Sequence, residues 1–448
     1  MAITGIEIFK LLPKTNCGEC GVPTCLAFAM SLAAGKTELS KCPYLSDEAR
    51  EKLEEASTPP IRPVTIGKGE NAKIIGGETV MFRHEKRFEN APAIALLISD
   101  DMTEANIDER IEKFNNLVYE RVGQTLRAEM VALKCQSGDE NKYKALIDKV
   151  MQKCRASIML ICENPTLLEA VLPVCADVRP LIYALTKENF DSITAPAKQY
   201  SCPVVVKGQN LDEIIELTTR LEQSGIKDIV IDSGIKDLSG SLEDQVAIRR
   251  AALNKKMRSL GYPTLVMVNE MTDEQLQESL IAATFVAKYA GIIVLSDFSG
   301  ETLFPLLVLR MNLFSDPQRP LATTEGIYEI GGPGENSPVL LTCNFSLTYF
   351  IVSGEIESSR VPGYLLAMDT EGLSVMTAWA AGKFGADTIA SFVKKCGITD
   401  KVKHRKLIIP GYIAIESGAL EEELPDWEII VGPREAAHIP AFLKTWKV

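Results

Sequence analysis

The sequence predicts an α/β protein of three units: a small helical unit, a central (β/α)8 TIM barrel and a C-terminal three-layer α/β domain. Three observations carry this reading. Short, continuous apolar runs alternate with helix-period segments from residue 93 to 318, as parallel strands covered on both faces require. Four of the eleven cysteines crowd into the first 42 residues. Proline-rich segments at 58–63 and 316–320 fix extended linkers and break any helix. A chain of 448 residues has room for about three domains.

The first unit covers residues 1–57. Its helical patterns are Gly5–Leu12, Cys25–Ala34 and Ser46–Ala56, where Ser46 is a good N-cap followed by acidic residues. Residues 58–92 form a linker and a short β arm leading into the next unit. The barrel covers 93–318. Its strands are expected at Ala93–Ser99, Ala128–Lys134, Ser157–Cys162, Leu181–Leu185, Cys202–Val206, Asp228–Asp232, Thr264–Val268 and Gly291–Leu295. Helices are expected between them at Glu104–Val122, Tyr143–Cys154, Asn210–Ser224 and Glu274–Tyr289. Eight such units in about 240 residues favour a closed barrel over an open doubly wound sheet. Ligand loops then follow the strand ends, where Asp232, Asn269 and Glu270 are the candidates; solvated loop carboxylates are the plainer reading.

The third unit covers 323–448. Strands are expected at Val339–Thr342, Tyr364–Asp369, Lys406–Ile409 and Trp427–Val431, with helices at Leu373–Lys383, Ala386–Cys396 and Glu435–Trp446. Its loops are rich in Gly, Ser and Thr, as cofactor loops of open α/β sheets are. Its I-G-G-P-G-E string is not a G-x-G-x-x-G after a strand, and no phosphate-binding G-K-[ST] occurs. Trp379 sits at a helical position that suits the core.

The cysteines Cys17-x2-Cys20-x4-Cys25-x16-Cys42 are the strongest chemical signal. Four thiolates in one short segment suit a soft metal. A structural zinc site usually pairs two C-x2-C knuckles or adds histidine, and neither is present here. The uneven spacing and the terminal Cys42-Pro43 suit a [4Fe–4S] cluster, with zinc as the alternative. Cys135, Cys154, Cys162, Cys175, Cys202, Cys343 and Cys396 lie mostly in apolar runs and read as core thiols.

Composition excludes other classes. Net charge is −12 and the pI about 5.1, so no basic stripe for nucleic acid is expected. No apolar window reaches the 18 residues of a membrane span. The odd cysteine count, with no signal peptide evident, suggests a reducing cytoplasm. Only His84, His404 and His438 are available as imidazole ligands.

The string NCGECGVPTCLAFAMSLAAGK (16–36) with KCPY (41–44) resembles the cluster module of the corrinoid iron–sulfur protein large (gamma) subunit family of the reductive acetyl-CoA pathway. The resemblance continues in FRHEKRF (82–88), ENSPVLLTCNFSLTYF (335–350), VSGEIESS (352–359), DTEGLSVMTAWAAGKF (369–384) and IIVGPREAA (429–437). It implies a [4Fe–4S] domain carried by Cys17, Cys20, Cys25 and Cys42, a TIM barrel, and a Rossmann-like corrinoid-binding domain over 323–448. It implies corrinoid (cobalamin-type, cobalt) contacts at Thr342, Thr348, Gly372, Leu373, Ser374, Val375, Gly432, Pro433 and Ala436, with no protein histidine on cobalt. The implied partners are a small barrel subunit in a heterodimer, a methyltetrahydrofolate methyltransferase, acetyl-CoA synthase, and a reductive activator or ferredoxin. The implied role is a cytoplasmic methyl carrier whose cluster reactivates Co(II) to Co(I). A pterin-dependent barrel methyltransferase with an auxiliary cluster is the alternative, and a zinc-bearing assembly subunit is the third reading.

Overall fold

A computed structural model describes residues 5–33, 36–46, 49–50, 53, 58–121 and 124–447. It divides into two compact units, Met1–Leu117 with Arg127–Phe314, and Val118–Leu126 with Ser315–Val448.

Eight parallel strands close into a barrel: Ala93–Ser99, Met130–Lys134, Ser157–Ile161, Leu181–Leu185, Val204–Lys207, Ile229–Asp232, Thr264–Met267 and Ala290–Leu295. Each bonds the next, and the last bonds the first, so the expected closure holds. Alternation sorts the side chains. Ala95, Ala132, Met159, Val205, Val230 and Val294 fill the lumen, whereas Leu96, Val131 and Leu160, at the intervening positions, are just as deeply buried.

The expected β arm forms as an antiparallel pair, Val64–Ile66 with Lys73–Ile75. Val64, Ile66 and Ile75 join the lumen cluster, each burial contributing about 2 kcal/mol. Gly67 N–H donates to Arg179 O at 3.0 Å, and Ser157 Oγ donates to Ile66 O at 3.2 Å. These contacts lie where strands begin, so the arm plugs the amino-terminal end of the barrel.

One barrel expectation is corrected. The helix expected at Glu104–Val122 stops at Asn116, and Tyr119–Arg121 pairs antiparallel with Gln124–Leu126. Asn115 and Asn116 are weak helix formers, and the Val118-Tyr119 that follows prefers extended backbone.

The second unit contains a five-stranded sheet. Strands Gly326–Ile330, Val339–Cys343, Gly363–Met368, Lys406–Ile409 and Glu428–Val431 lie in the order first, third, second, fourth, fifth. The first is antiparallel and the other four are parallel. Leu341, Leu366 and Ile409 face Phe384, Ile389 and Val393 on one side. Leu340, Leu365 and Ile408 face Ile356, Ile439 and Leu443 on the other. This gives three layers.

Sequence reasoning missed the helix Ser417–Glu423 and two further elements here. The edge strand Gly326–Ile330 is only half-buried, so it lacks a continuous apolar run. The helix Ser346–Ser359 begins within TCNFSLTYF (342–350), a segment expected to be loop. Its apolar residues run around the whole cylinder and hide the 3.6 period. The expected helices shorten to Val375–Ala380, Ala386–Lys395 and Ile439–Leu443.

In the amino-terminal unit, helices Gly5–Leu11 and Cys25–Ala33 bury Ile8, Phe28 and Ala29 together with Leu53. Of the helix expected at 46–56, residues 47–48, 51–52 and 54–56 lie outside the described residues. Among the described residues, no helix is long and apolar enough to cross a membrane.

Candidate cofactor sites

The cysteine segment is a loop between two helices. Its backbone takes positive φ at Lys14, Asn16, Gly18 and Gly21. Gly18 (φ 77°) and Gly21 (φ 85°) adopt this geometry without strain. Asn16 Oδ1 accepts from Cys25 N–H at 2.8 Å, fixing the start of the second helix. Tyr44 Oη donates to Glu19 Oε1 at 2.8 Å, tying the Cys42 segment to the Cys17–Cys20 turn. Cys25 and Cys42 are buried in one apolar cluster with Ile8 and Phe28, Cys20 packs against it, and Cys17 is exposed.

Burial pushes the Cys42 thiol up, and the nearby charges of Cys20, Cys25 and Cys17 push it the same way. Four thiol donors gathered in one short segment suit a positive centre, and soft metals bind such donors best. Among the described residues, no three His, Cys, Asp or Glu side chains stand close enough to hold a metal ion as they are. Of the other seven cysteines, Cys154, Cys162, Cys175, Cys202 and Cys343 are buried, as expected, while Cys135 and Cys396 are half-buried.

The second site is a cleft of about 360 Å³ in the C-terminal sheet. It opens at the carboxyl ends of Val339–Cys343 and Lys406–Ile409. These neighbours sit where strand order reverses, and open α/β sheets bind ligands at such points. Thr342, Thr348, Ser374, Val375, Gly432, Pro433 and Ala436 all line it. Gly372 and Leu373 do not. Gly372 (φ 73°) makes the tight turn just before Ser374, packed against Pro320.

Asn344 organises this end of the sheet, and sequence reasoning did not single it out. Its Oδ1 accepts from Thr370 N–H, Thr370 Oγ1 and Gly372 N–H at 3.0, 3.0 and 3.1 Å. Its Nδ2 donates to Asp369 Oδ1 at 2.9 Å. One buried amide thus holds the loop that carries Ser374. Thr342 Oγ1 is buried at the cleft with no hydrogen-bond partner. An orphaned hydroxyl there, beside the Thr348 and Ser374 hydroxyls, suits a ligand ringed with amides. Ile351, Met376 and Ile409 supply apolar wall for the face of a large ring. Gly432 lets the backbone close in, since a Cβ there would stand 2.9 Å from Ile408 Cγ2. Ile351, Met376, Tyr412 and Arg434 were not foreseen; they belong to helices or turns placed by tertiary packing.

Histidine stays away from this cleft. His404 Nε2 bonds Ser337 O at 2.8 Å and its Nδ1 accepts from Lys406 N–H at 3.2 Å, so both ring nitrogens are engaged. His438 is exposed and is not among the lining residues. Trp379 packs against the core and donates to Glu416 Oε1 at 2.7 Å.

At the barrel mouth, Asp232 is buried and accepts from Tyr183 Oη at 2.8 Å, and Glu270 pairs with Lys236 at 2.9 Å. Asn269 Oδ1 is buried without a partner. Tyr183 and Lys207 complete this group and were not foreseen, because strand runs hide which residues face the lumen.

Residues 63–443 match the family model described as "CO dehydrogenase/acetyl-CoA synthase delta subunit", and residues 12–44 match one described as "Putative Fe-S cluster". The corrinoid/iron–sulfur protein large subunit of Moorella thermoacetica is 45% identical, over 99% of both chains. The chain belongs to this large-subunit family. Archaeal relatives agree: the acetyl-CoA decarbonylase/synthase complex subunit gamma of Methanothermobacter thermautotrophicus is 34% identical over 99% of both chains. That of Methanopyrus kandleri is also 34% identical, over 99% of this chain and 97% of its own. The matching family model is named for a delta subunit and begins at residue 63. The large and gamma subunits match through the cysteine segment as well, so their name describes this chain better.

Proposed function

We propose that this large-subunit family member is a methyl carrier that holds a [4Fe–4S] cluster on Cys17, Cys20, Cys25 and Cys42 and a corrinoid in the C-terminal cleft. The cleft carries the proposal: residues at or just beyond the carboxyl ends of the four parallel strands converge on one apolar-walled space that holds an unmatched hydroxyl. A bound corrinoid supplies a cobalt that accepts and releases methyl groups, and the cluster supplies the electrons that return it to its reactive state.

The chain's own residues do the rest. Thr342, Thr348 and Ser374 offer hydroxyls to the amide rim. Gly432 and Pro433 bring backbone within reach of the ring. Ile351 and Met376 keep water from one face. The C-terminal domain is Rossmann-like in this reading, and Asn344 and Gly372 shape its loops rather than touch the ligand. The proposed partners are those that the family resemblance implies: the small barrel subunit, a methyltetrahydrofolate methyltransferase, acetyl-CoA synthase and an electron donor.

Anaerobically purified complex should contain about one cobalt per chain together with iron and sulfide, and its visible bands should follow the cobalt state. Iron without cobalt would sink the corrinoid assignment, and stoichiometric zinc without iron would sink the cluster. With no histidine lining the cleft, EPR of the Co(II) form should show no nitrogen superhyperfine splitting from an axial imidazole.

A further inference from the structure

The second helix of the cysteine unit, Cys25–Ala33, starts on one of the four expected ligands. The first backbone N–H groups of a helix have no partner within it, and together they make its positive end. The Cys25 N–H points into the loop that carries Cys17 and Cys20, since its partner there is Asn16. Donors in such a place are well set to bond thiolate or sulfide sulfur. The fold makes one bond of that kind on the last ligand, where Tyr44 N–H donates to Cys42 Sγ.

At the helix start, side-chain oxygens take the donors instead. Asn16 Oδ1 accepts the Cys25 N–H at 2.8 Å, and Thr24 Oγ1 accepts the Ala27 N–H at 3.1 Å. Thr24 holds the ordinary capping place, the residue just before the helix. Asn16 is a second cap drawn from nine residues back, beside Cys17. It takes a left-handed backbone (φ 50°), which asparagine tolerates better than most residues. The Cys42 N–H is likewise spent on oxygen, at Leu39 O and 3.2 Å. Hydrogen bonds from N–H to cluster sulfur favour the more negative, reduced state and so raise the potential. An N–H already given to an amide oxygen has no such effect, and that oxygen offsets the positive end of the helix.

We propose that Asn16 holds down the reduction potential of a cluster on Cys17, Cys20, Cys25 and Cys42 by keeping the Cys25 N–H from the cluster sulfurs. The inference rests on the cluster reading above and adds a positioning residue to it. A cluster that returns cobalt to its reactive state must be a strong reductant. Scarce N–H donors around its ligands serve that end.

The test uses the full-length protein, purified without oxygen, and an EPR-monitored redox titration of the cluster. Iron and sulfide analysis of the unaltered protein tests the cluster reading separately. Asn16→Gly keeps the left-handed backbone without strain and removes the acceptor. It should hold the same iron and shift the reduction equilibrium about tenfold toward the reduced cluster, which is about 59 mV upward for a one-electron couple. Pulsed EPR of its reduced cluster in D2O should gain one exchangeable-deuteron coupling. Asn16→Asp keeps the acceptor, and should show no added coupling and a potential no higher than that of the unaltered protein. Asn16→Ala lacks the acceptor too, and decides the matter if the glycine variant holds less iron. An unchanged potential in an iron-replete variant without the acceptor overturns the proposal, as does an equal rise in Asn16→Asp. A fall would mean that the Asn16 amide itself donates to the cluster, and overturns it as well. Loss of iron from both the glycine and alanine variants would make Asn16 a folding residue and overturn it too.

Discussion

Thr342 is the residue at which the cleft's chemistry is most exposed to test. Its hydroxyl is buried, unmatched and at the ligand end of a parallel strand. A buried unsatisfied hydroxyl costs about 1–3 kcal/mol, so Thr342→Val should raise the melting temperature of cofactor-free protein by about 3 °C. The same substitution should lower corrinoid retention about tenfold on gel filtration, because the hydroxyl's partner in the holoprotein is lost. Opposite signs in the two measurements are the signature of a ligand contact; equal retention would make Thr342 a packing residue. Asn344 shows the complementary case of a side chain that touches no cleft space and yet fixes a cleft loop through four hydrogen bonds. A lone Asn in a Ser/Thr-rich stretch carries no periodicity, so its role was invisible in the sequence.

At the scale of elements, the arm shows how a short segment with little internal structure is held. Glu129 receives Arg310 at 2.7 Å and Lys73 at 3.3 Å, tying the arm strand to the last barrel helix. Burial pushes the Glu129 carboxyl up, but Arg310 and then Lys73 outweigh it and hold it below the usual range. A depressed folded value means the stabilisation is complete above the unfolded value of about 4 and is lost as pH falls through the folded value. Glu129→Gln should therefore destabilise the barrel by about 3 kcal/mol at pH 7. The gap should narrow in acid, which melting curves across pH would show. The barrel strands were legible because each is an apolar run. The helix Ser346–Ser359 was not, because its apolar residues spread around its whole circumference and leave no 3.6-residue stripe.

At the scale of the whole molecule, the apolar core of the cysteine unit is much smaller than the barrel lumen or the larger core of the C-terminal sheet. A unit that small leans on its metal, since ligand binding and folding share one free energy. Stripping iron with a chelator should leave the barrel and the C-terminal sheet folded. Limited proteolysis should then cut within residues 5–58 much faster than in the holoprotein. Cys42→Ser should reproduce this and lose the iron, whereas Cys175→Ala, in the barrel core, should keep it. Unchanged proteolysis after iron loss would mean that the small core stands alone. The sequence by itself determined the strand-by-strand barrel and the cysteine spacing, because apolar runs and ligand spacings are local patterns. Only the tertiary structure decided that seven of the expected contacts share one cleft while Gly372 and Leu373 lie outside its lining. It alone brought Lys207, Tyr183 and Asp232 together, since strand pairing sets which distant residues meet and no local pattern records it.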